Sequence, residues 1–496
     1  MKKRIIEFFK IKERKSSIKI EIYAGIATFL SMAYILIVNP NNLLLAGTAD
    51  IRWASVFIAT AIGACIGTLL MAFIGNMPFG LASSMGINSV AGAIIGGSLG
   101  FAFSYGNIML ILFTAGLIFI VLSFIPVKTK KGKMSVREYL LEGIPKTILK
   151  AIPVGLGLFI AFIGMQNAKM VVSNPYVLVQ FVKLNDAANW VSGGPALQAM
   201  VALFGLIVIS VLSHYKVKGS VIIGILSATL LAIPLGVADL NILFGRVEGI
   251  TWNFWSNFST YFSMKPATGG IFMSLFTEGM VFPDKSYLTV FILIVTFLIL
   301  DTFDTMGTII GCAKNANMVD KDGKPLNYNK IMYADSIAAC TGTMLGTSTV
   351  TTFVESGTGI ASGGRTGLTA LTIAILFIVS IFALPLFAFI PVSAAAAALI
   401  YVGVLMMQNV LEIDFKHLKN SVPAFLTIST MPLCYSVTDG IGIGLISYFI
   451  ISVVMFMIDY TKFLRGKGEE PEWDISLVML ISTILFLIYF LAPTII

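Results

Sequence analysis

Four side chains combine reactive chemistry with an apolar sequence context. Asp301 and Asp304 lie in Leu300-Asp-Thr-Phe-Asp-Thr-Met-Gly307, Glu355 in Phe353-Val-Glu-Ser-Gly357, and Asn88 in Met85-Gly-Ile-Asn88. An ionisable group inside an apolar run is costly, so such residues are few and usually serve a ligand, an ion or a proton. Asp301 and Asp304 are three positions apart and therefore share one helix face. Glu355 stands just before an expected helix start at Ser356 to Gly359, where main-chain N–H groups can bind a polar ligand or stabilise a carboxylate. The Asn88 amide offers both donor and acceptor. Plainer roles stay open. Asp301 or Asp304 can pair with Lys314 or a backbone donor, Asn88 can pack between helices, and Arg365 suits an anchor at a segment end. Both histidines, His214 and His417, fall in connections, so any mid-membrane proton carrier must be a carboxyl, with Asp304, Asp301 and Glu355 as candidates. No HExxH, GxSxG or Walker loop is present, which leaves enzyme chemistry and ATP-driven transport unsupported and calls for no cofactor.

The elements that carry these residues are set by composition. Charged residues are 12% and hydrophobic residues 57% of 496, where a soluble domain carries about 25% charge. Apolar runs of about 20 residues, enough to cross a ~30 Å hydrocarbon core, recur along the chain. Spans are expected near 20–38, 52–75, 79–98, 106–126, 149–166, 196–213, 219–236, 287–312, 332–347, 350–365, 367–390, 393–410, 421–437 and 439–458, with a further run at 475–494. The net charge of +8 reflects topology, not nucleic-acid binding: basic residues gather in Met1 to Lys19, Lys128 to Lys150, His214 to Lys218, Lys314 to Lys330, Lys416 to Lys419 and Lys462 to Lys467. With the N-terminus inside, those connections are the cytoplasmic ones, as the positive-inside rule requires. The long connection 237–286, with Trp252 and Trp255 as interface anchors, is then outside. No signal peptide is expected to be removed. Cys65, Cys312, Cys340 and Cys434 show no metal-ligand spacing and are expected as small core residues.

A repeat organises the spans. Ala61-Ile-Gly-Ala-Cys-Ile-Gly-Thr-Leu-Leu70 in the second matches Ser336-Ile-Ala-Ala-Cys-Thr-Gly-Thr-Met-Leu345 in the ninth. Seven crossings separate the copies, so they run in opposite directions, the pattern of an inverted repeat. After each copy comes a stretch too rich in Gly, Ser, Thr or Pro for a continuous helix: Pro78 to Gly92 and Thr347 to Gly367. Residues 349–354 are expected as a short extended strand followed by a glycine-rich helix start. Broken spans at matching places point to a central binding site, because freed backbone groups are tolerated only where they line a cavity or are buried in protein.

At these residues the chain resembles the AzgA-type purine permeases, nucleobase symporters with the UraA-like fold. The matching stretches are Pro78 to Ala82, Met85 to Asn88, Asp301 to Gly307, Ala334-Asp-Ser336, Gly346 to Gly357 and Gly363 to Thr369. One departure is Ser83-Ser84, where such permeases often carry Pro-Gly. The resemblance implies an all-α polytopic membrane protein of fourteen transmembrane segments, a 7+7 inverted repeat with segments 3 and 10 broken, plus the extra C-terminal apolar run. It implies a core domain of 1–126 and 287–390, a gate domain of 127–236 and 391–458, the extracytoplasmic loop 237–286 and a C-terminal part 459–496. The implied cargo is adenine, guanine or hypoxanthine, imported through the inner membrane by proton symport. A homodimer stays open as its protein partner, and an anion carrier of sulfate-permease type, or a sodium-coupled symporter, stands as the alternative. Binding or coupling roles carry over onto Asn88, Asp304 and Glu355, with Asp301 and Asp335 in support. Ser356 and Gly357 accompany Glu355, and Phe79 or Phe353 is placed to stack on a purine face.

Overall fold

The computed structural model describes residues 2–44, 48, 50–97, 103–129, 132–135, 143–174, 176–247, 249–265, 268–283, 287–315, 318–319, 325–466 and 473–491. Lys131 and much of the basic stretches 128–150 and 314–330 lie outside them, as do Lys467 and the side chain of Lys314.

The main helices follow in chain order: α1 Lys2–Phe8, α2 Ile18–Met32, α3 Ile35–Leu44, α4 Trp53–Leu70, α5 Met85–Ile95, α6 Tyr105–Phe124, α7 Lys146–Asn167, α8 Pro195–His214, α9 Ser220–Ala232 and α10 Phe254–Phe262. The second half holds α11 Tyr287–Asn315, α12 Tyr328–Leu345, α13 Ser356–Ala361, α14 Gly367–Ser380, α15 Val392–Met407, α16 Leu418–Leu433, α17 Val437–Leu464 and α18 Leu477–Leu491. Among the described residues six short strands accompany them: β1 Leu81–Ser83, β2 Pro126–Thr129, β3 Gly132–Ser135, β4 Val171–Asn174, β5 Leu178–Phe181 and β6 Val350–Thr352. Strands β2 with β3 and β4 with β5 are local antiparallel pairs, whereas β1 pairs with β6 across the length of the chain.

The chain is an all-α multi-pass membrane protein. Among the described residues, eight helices are long and apolar enough to cross a bilayer, and four shorter ones, Met85–Ile95, Ser220–Ala232, Tyr287–Thr302 and Leu477–Leu491, are apolar as well. Of the expected spans, α12, α13 and α16 fall outside both groups. The reason for α12 is visible: it carries Asp335, Ser336 and Thr343, and all three are buried. A helix enclosed by protein needs no lipid-compatible surface. The 15 residues of α18 extend over ~22 Å at 1.5 Å per residue.

Two compact units are present. The first comprises Met1–Ile120, Ile160–Phe282 and Phe297–Tyr401; the second comprises Val121–Phe159, Pro283–Thr296 and Val402–Ile496. In the second, Ala151, Val154, Ile413 and Ala424 form an apolar cluster. Lys150 reaches the Glu412 carbonyl at 2.8 Å, and Tyr448 donates to Asp474 at 3.0 Å. Three cysteines are buried as expected, but Cys434 is exposed. It follows the last turn of α16, where the helix ends and no neighbour covers the thiol.

In the first unit the repeated motif lies at the ends of α4 and α12, which pack together around Val350. A Cβ on Gly67 would stand 2.6 Å from one Val350 methyl, and one on Gly342 would stand 2.7 Å from the other. The small residues of the motif therefore admit the strand that follows the second copy. The tightened turn at Ala33-Tyr34 breaks the first span, α3 carries Pro40 inside it, and a π-turn at Met71–Gly75 ends the second.

Candidate functional site

The breaks in the third and tenth spans meet as a two-stranded crossing. β1 and β6 are antiparallel, with Leu81 opposite Thr352, Ala82 opposite Thr351 and Ser83 opposite Val350. Opposite strand directions are what copies running in opposite senses give. Helix α13 follows β6 as expected for the second break, and α5 continues from β1 in the same way in the first, where no strand was expected. A strand buried this deeply must satisfy its backbone groups. The Leu81 N–H donates to Thr68 Oγ1 at 2.9 Å, and the same hydroxyl approaches the Leu81 carbonyl at 3.0 Å. The Gly80 N–H donates to Ser356 Oγ at 3.0 Å, and Phe353 N–H donates to the Gly80 carbonyl at 3.0 Å.

Asp335 is the anchor of β6. Its Oδ1 accepts from the Thr352 N–H at 3.1 Å and the Thr352 hydroxyl at 2.9 Å, while Oδ2 accepts from Thr305 at 2.8 Å. A fully buried carboxylate thus joins α11, α12 and the strand. At the position before the first copy of the repeat stands Thr60, and Asn39 Nδ2 donates to it at 2.7 Å and to Thr347 at 2.8 Å.

Around the crossing the candidate residues gather. Asp304 Oδ2 accepts from Ser84 Oγ at 2.7 Å, with Thr351 Oγ1 at 3.5 Å. Ser83 Oγ at 3.2 Å and Ser348 Oγ both approach Asn88 Oδ1, and the two serine oxygens are 2.7 Å apart, so the two hydroxyl protons are shared among three contacts. The Asn88 Nδ2 is buried and has no hydrogen-bond partner among the described residues. Such an orphaned donor costs about 1–3 kcal/mol, which a ligand acceptor would offset. Glu355 Oε1 accepts from the Tyr34 hydroxyl at 2.6 Å. Two residues further on, a Cβ on Gly357 would meet nothing within 4 Å, so there is open space at Gly357.

The other expected site residues divide into those near this space and those that frame it. Asp301 is buried one turn before Asp304 on α11. Ser356 Oγ is engaged with Gly80, and the N–H groups of Ser356, Gly357 and Thr358 donate to the carbonyls of Phe353, Val354 and Glu355. The six-residue α13 therefore orients Glu355 rather than offering free N–H groups. Arg365 closes its other end, donating from Nη1 to the carbonyls of Ile360 and Gly364 at 2.7 Å. Phe79 is fully buried within an apolar cluster that includes Met71, Met77, Leu81 and Ile309, and Phe353 is 5% exposed.

Three contributors escaped the reading of the sequence. Ser84 lies at the departure from Pro-Gly, and hydroxyls beside a predicted break were its signal. Tyr34 follows from no motif. Glu21 is an ionisable residue inside the first apolar run, which was signal enough: fully buried, it accepts from the N–H groups of Arg365 and Thr366 at 3.1 Å and from Thr369 Oγ1 at 2.6 Å. There it caps the start of α14. Among the described residues, no group of three or more His, Cys, Asp or Glu gathers as for a metal ion.

Chemically, the site offers carboxylate acceptors and one amide donor in a largely buried setting, a set suited to a small polar ligand bearing both N–H groups and acceptors. The chain is 36% identical over 483 residues to the guanine/hypoxanthine permease PbuO of Bacillus subtilis, covering 97% of this chain and 99% of that one. It is 31% identical over 445 residues to the adenine permease AdeP of Escherichia coli, covering 90% and 89%. Among solved structures, the transmembrane domain of the cyanobacterial bicarbonate transporter BicA superposes with a TM-score of 0.57 at 16% identity, covering 86% of this chain and 97% of that one. The anion transporter family member SLC26A9 superposes with a TM-score of 0.54 at 12% identity, over 90% and 67%. These likenesses show the fold. Residues 19–443 match the permease family Xan_ur_permease, and with relatives of this identity over nearly its whole length the chain belongs to that family.

Proposed function

We propose that this chain imports purine nucleobases across the cell membrane by proton symport, alternating access of one site to the two sides. The observation that carries the reading is the gathering of Asn88, Asp304 and Glu355 about the β1–β6 crossing, with an orphaned amide donor and open space beside Gly357. A purine is flat and neutral, edged with N–H donors and ring-nitrogen acceptors; the carboxylates take the former and the amide serves the latter. Relatives named as adenine and guanine/hypoxanthine permeases support the same substrate class. Two acidic residues at the site favour this cargo over an anion, despite the anion carriers that share the fold. In this reading segments 1–4 and 8–11 form the core and the remainder the gate, the N-terminus faces the cytoplasm, and a carboxyl at the site carries the coupled proton.

The test is uptake of labelled hypoxanthine, guanine and adenine into vesicles holding the purified chain. Accumulation in sodium-free buffer, driven by an imposed inward pH gradient and collapsed by a protonophore, is the expected outcome. Competition by bicarbonate or sulfate in place of purines would reject the substrate class, and strict sodium dependence would reject the coupling ion.

A further inference from the structure

Glu355 has one carboxylate oxygen already occupied. Tyr34 is fully buried at the turn between α2 and α3, and its hydroxyl donates to Glu355 Oε1 at 2.6 Å. The bond joins residues 321 positions apart, so it is a tertiary contact with no local origin. Among the described residues Oε2 makes no hydrogen bond to another residue. Two residues on in the chain, a Cβ on Gly357 would meet nothing within 4 Å.

The interruption of the first span is what delivers the phenol. Helix α2 ends at Met32, where the Ala33 N–H still bonds the Phe29 carbonyl, and the new turn begins with Ile37 and Val38 donating to the Tyr34 carbonyl at 3.0 Å. Around this joint the first span lies tight against the tenth and eleventh. A Cβ on Gly359 would stand 2.1 Å from Thr28 Oγ1 and 2.7 Å from the Ala24 carbonyl, and one on Gly25 would stand 2.8 Å from the Thr369 carbonyl. With both backbones held, the tyrosine ring has little freedom, and the carboxylate it holds inherits that constraint. A hydrogen bond to a charged acceptor is among the stronger side-chain bonds, and a positioned carboxylate loses less freedom when a ligand binds.

We propose that Tyr34 is a positioning residue of the purine site: by holding one oxygen of Glu355 it presents the other to the N–H edge of the base. This rests on the reading of the substrate given above. Tyr34 does not itself touch the ligand in this assignment. It sets where the acceptor points, so its loss weakens binding while leaving the transport step of the loaded carrier intact.

The experiment measures purine binding and uptake kinetics for the unmodified chain, Tyr34→Phe, Glu355→Gln and the double variant, each normalised to folded protein. Tyr34→Phe keeps the buried ring and removes the donor; the expected result is affinity weaker by about 10-fold, the scale of one hydrogen bond to a charged group, with KM raised in step and the maximal rate per folded carrier little changed. In the Glu355→Gln background the same replacement should add little, because the two residues act as one unit. A structural role alone would lower the yield of folded protein and add equally in both backgrounds. If Tyr34→Phe does not fold, Tyr34→His and Tyr34→Leu give the same comparison, donor kept against donor lost. Purine binding by the unmodified chain with equal binding by Tyr34→Phe, or equal losses in the two backgrounds, overturns the role of Tyr34 alone; no purine binding by the unmodified chain overturns the substrate reading and this assignment with it.

Discussion

Asp304 and Glu355 differ in what holds them, and their substitutions should differ accordingly. Asp304 is bonded by Ser84 and faces Thr351, whereas Glu355 is held at one oxygen by Tyr34. Asp304→Asn keeps the shape and the hydroxyl contacts but cannot exchange a proton, so accumulation against a gradient should be lost while part of the purine binding remains. Glu355→Gln exchanges an acceptor for a group that is half donor and should weaken binding itself by ~10-fold or more, in keeping with ~1.5–3 kcal/mol for a hydrogen bond to a charged group. Counterflow, which needs binding but no net proton movement, separates the two: Asp304→Asn should retain exchange and Glu355→Gln should not. Equal defects in both assays for both variants would remove the division of labour. Carboxylates in apolar runs announced these residues in the sequence, but no spacing rule could announce Tyr34 or Ser84, since each meets its partner from more than 200 positions away.

Among the elements, close backbone approach decides which glycines are structural. A Cβ on Gly92 of α5 would fall 1.8 Å from the Asn42 carbonyl oxygen of α3, and the same two helices are joined by Asn42 Nδ2 donating to Ser89 Oγ at 3.2 Å. Neither backbone can retreat cheaply, so Gly92→Ala should cost at least the ~1–3 kcal/mol of ordinary overpacking, read as a lower unfolding temperature or loss of monodisperse protein in detergent. Gly357→Ala is the counterpart. Its added methyl meets no atom within 4 Å, so the unfolding temperature in detergent should match that of the unmodified chain. A clear fall in thermal stability would contradict that placement. The broken spans were legible because clusters of Gly, Ser and Thr oppose continuous helix; which glycine touches backbone and which faces open space was not, because that depends on the neighbour's position.

For the whole molecule, orientation rests on charge. Basic residues concentrate in alternate connections, so residue 131 is expected on the cytoplasmic side and the 237–286 connection on the other. In a background without other reactive cysteines, Lys131→Cys should react with an impermeant maleimide only from inside, and Trp255→Cys, at a side chain 75% exposed, only from outside. Reaction of the first from outside would invert the topology.

Hydropathy and the repeated Ala-Cys-x-Gly-Thr pattern were enough to establish a multi-pass membrane chain and its paired breaks, because a bilayer admits only apolar helices where backbone meets lipid. They also marked Asn88, Asp304 and Glu355, since charge and amide groups stand out against an apolar background. The partners of those groups were settled only by the tertiary structure. Hydrogen bonds act over about 3 Å, and the contacts of Tyr34 with Glu355, Ser84 with Asp304, and Ser348 with Asn88 arise where the antiparallel β1–β6 crossing folds the two halves of the chain onto each other.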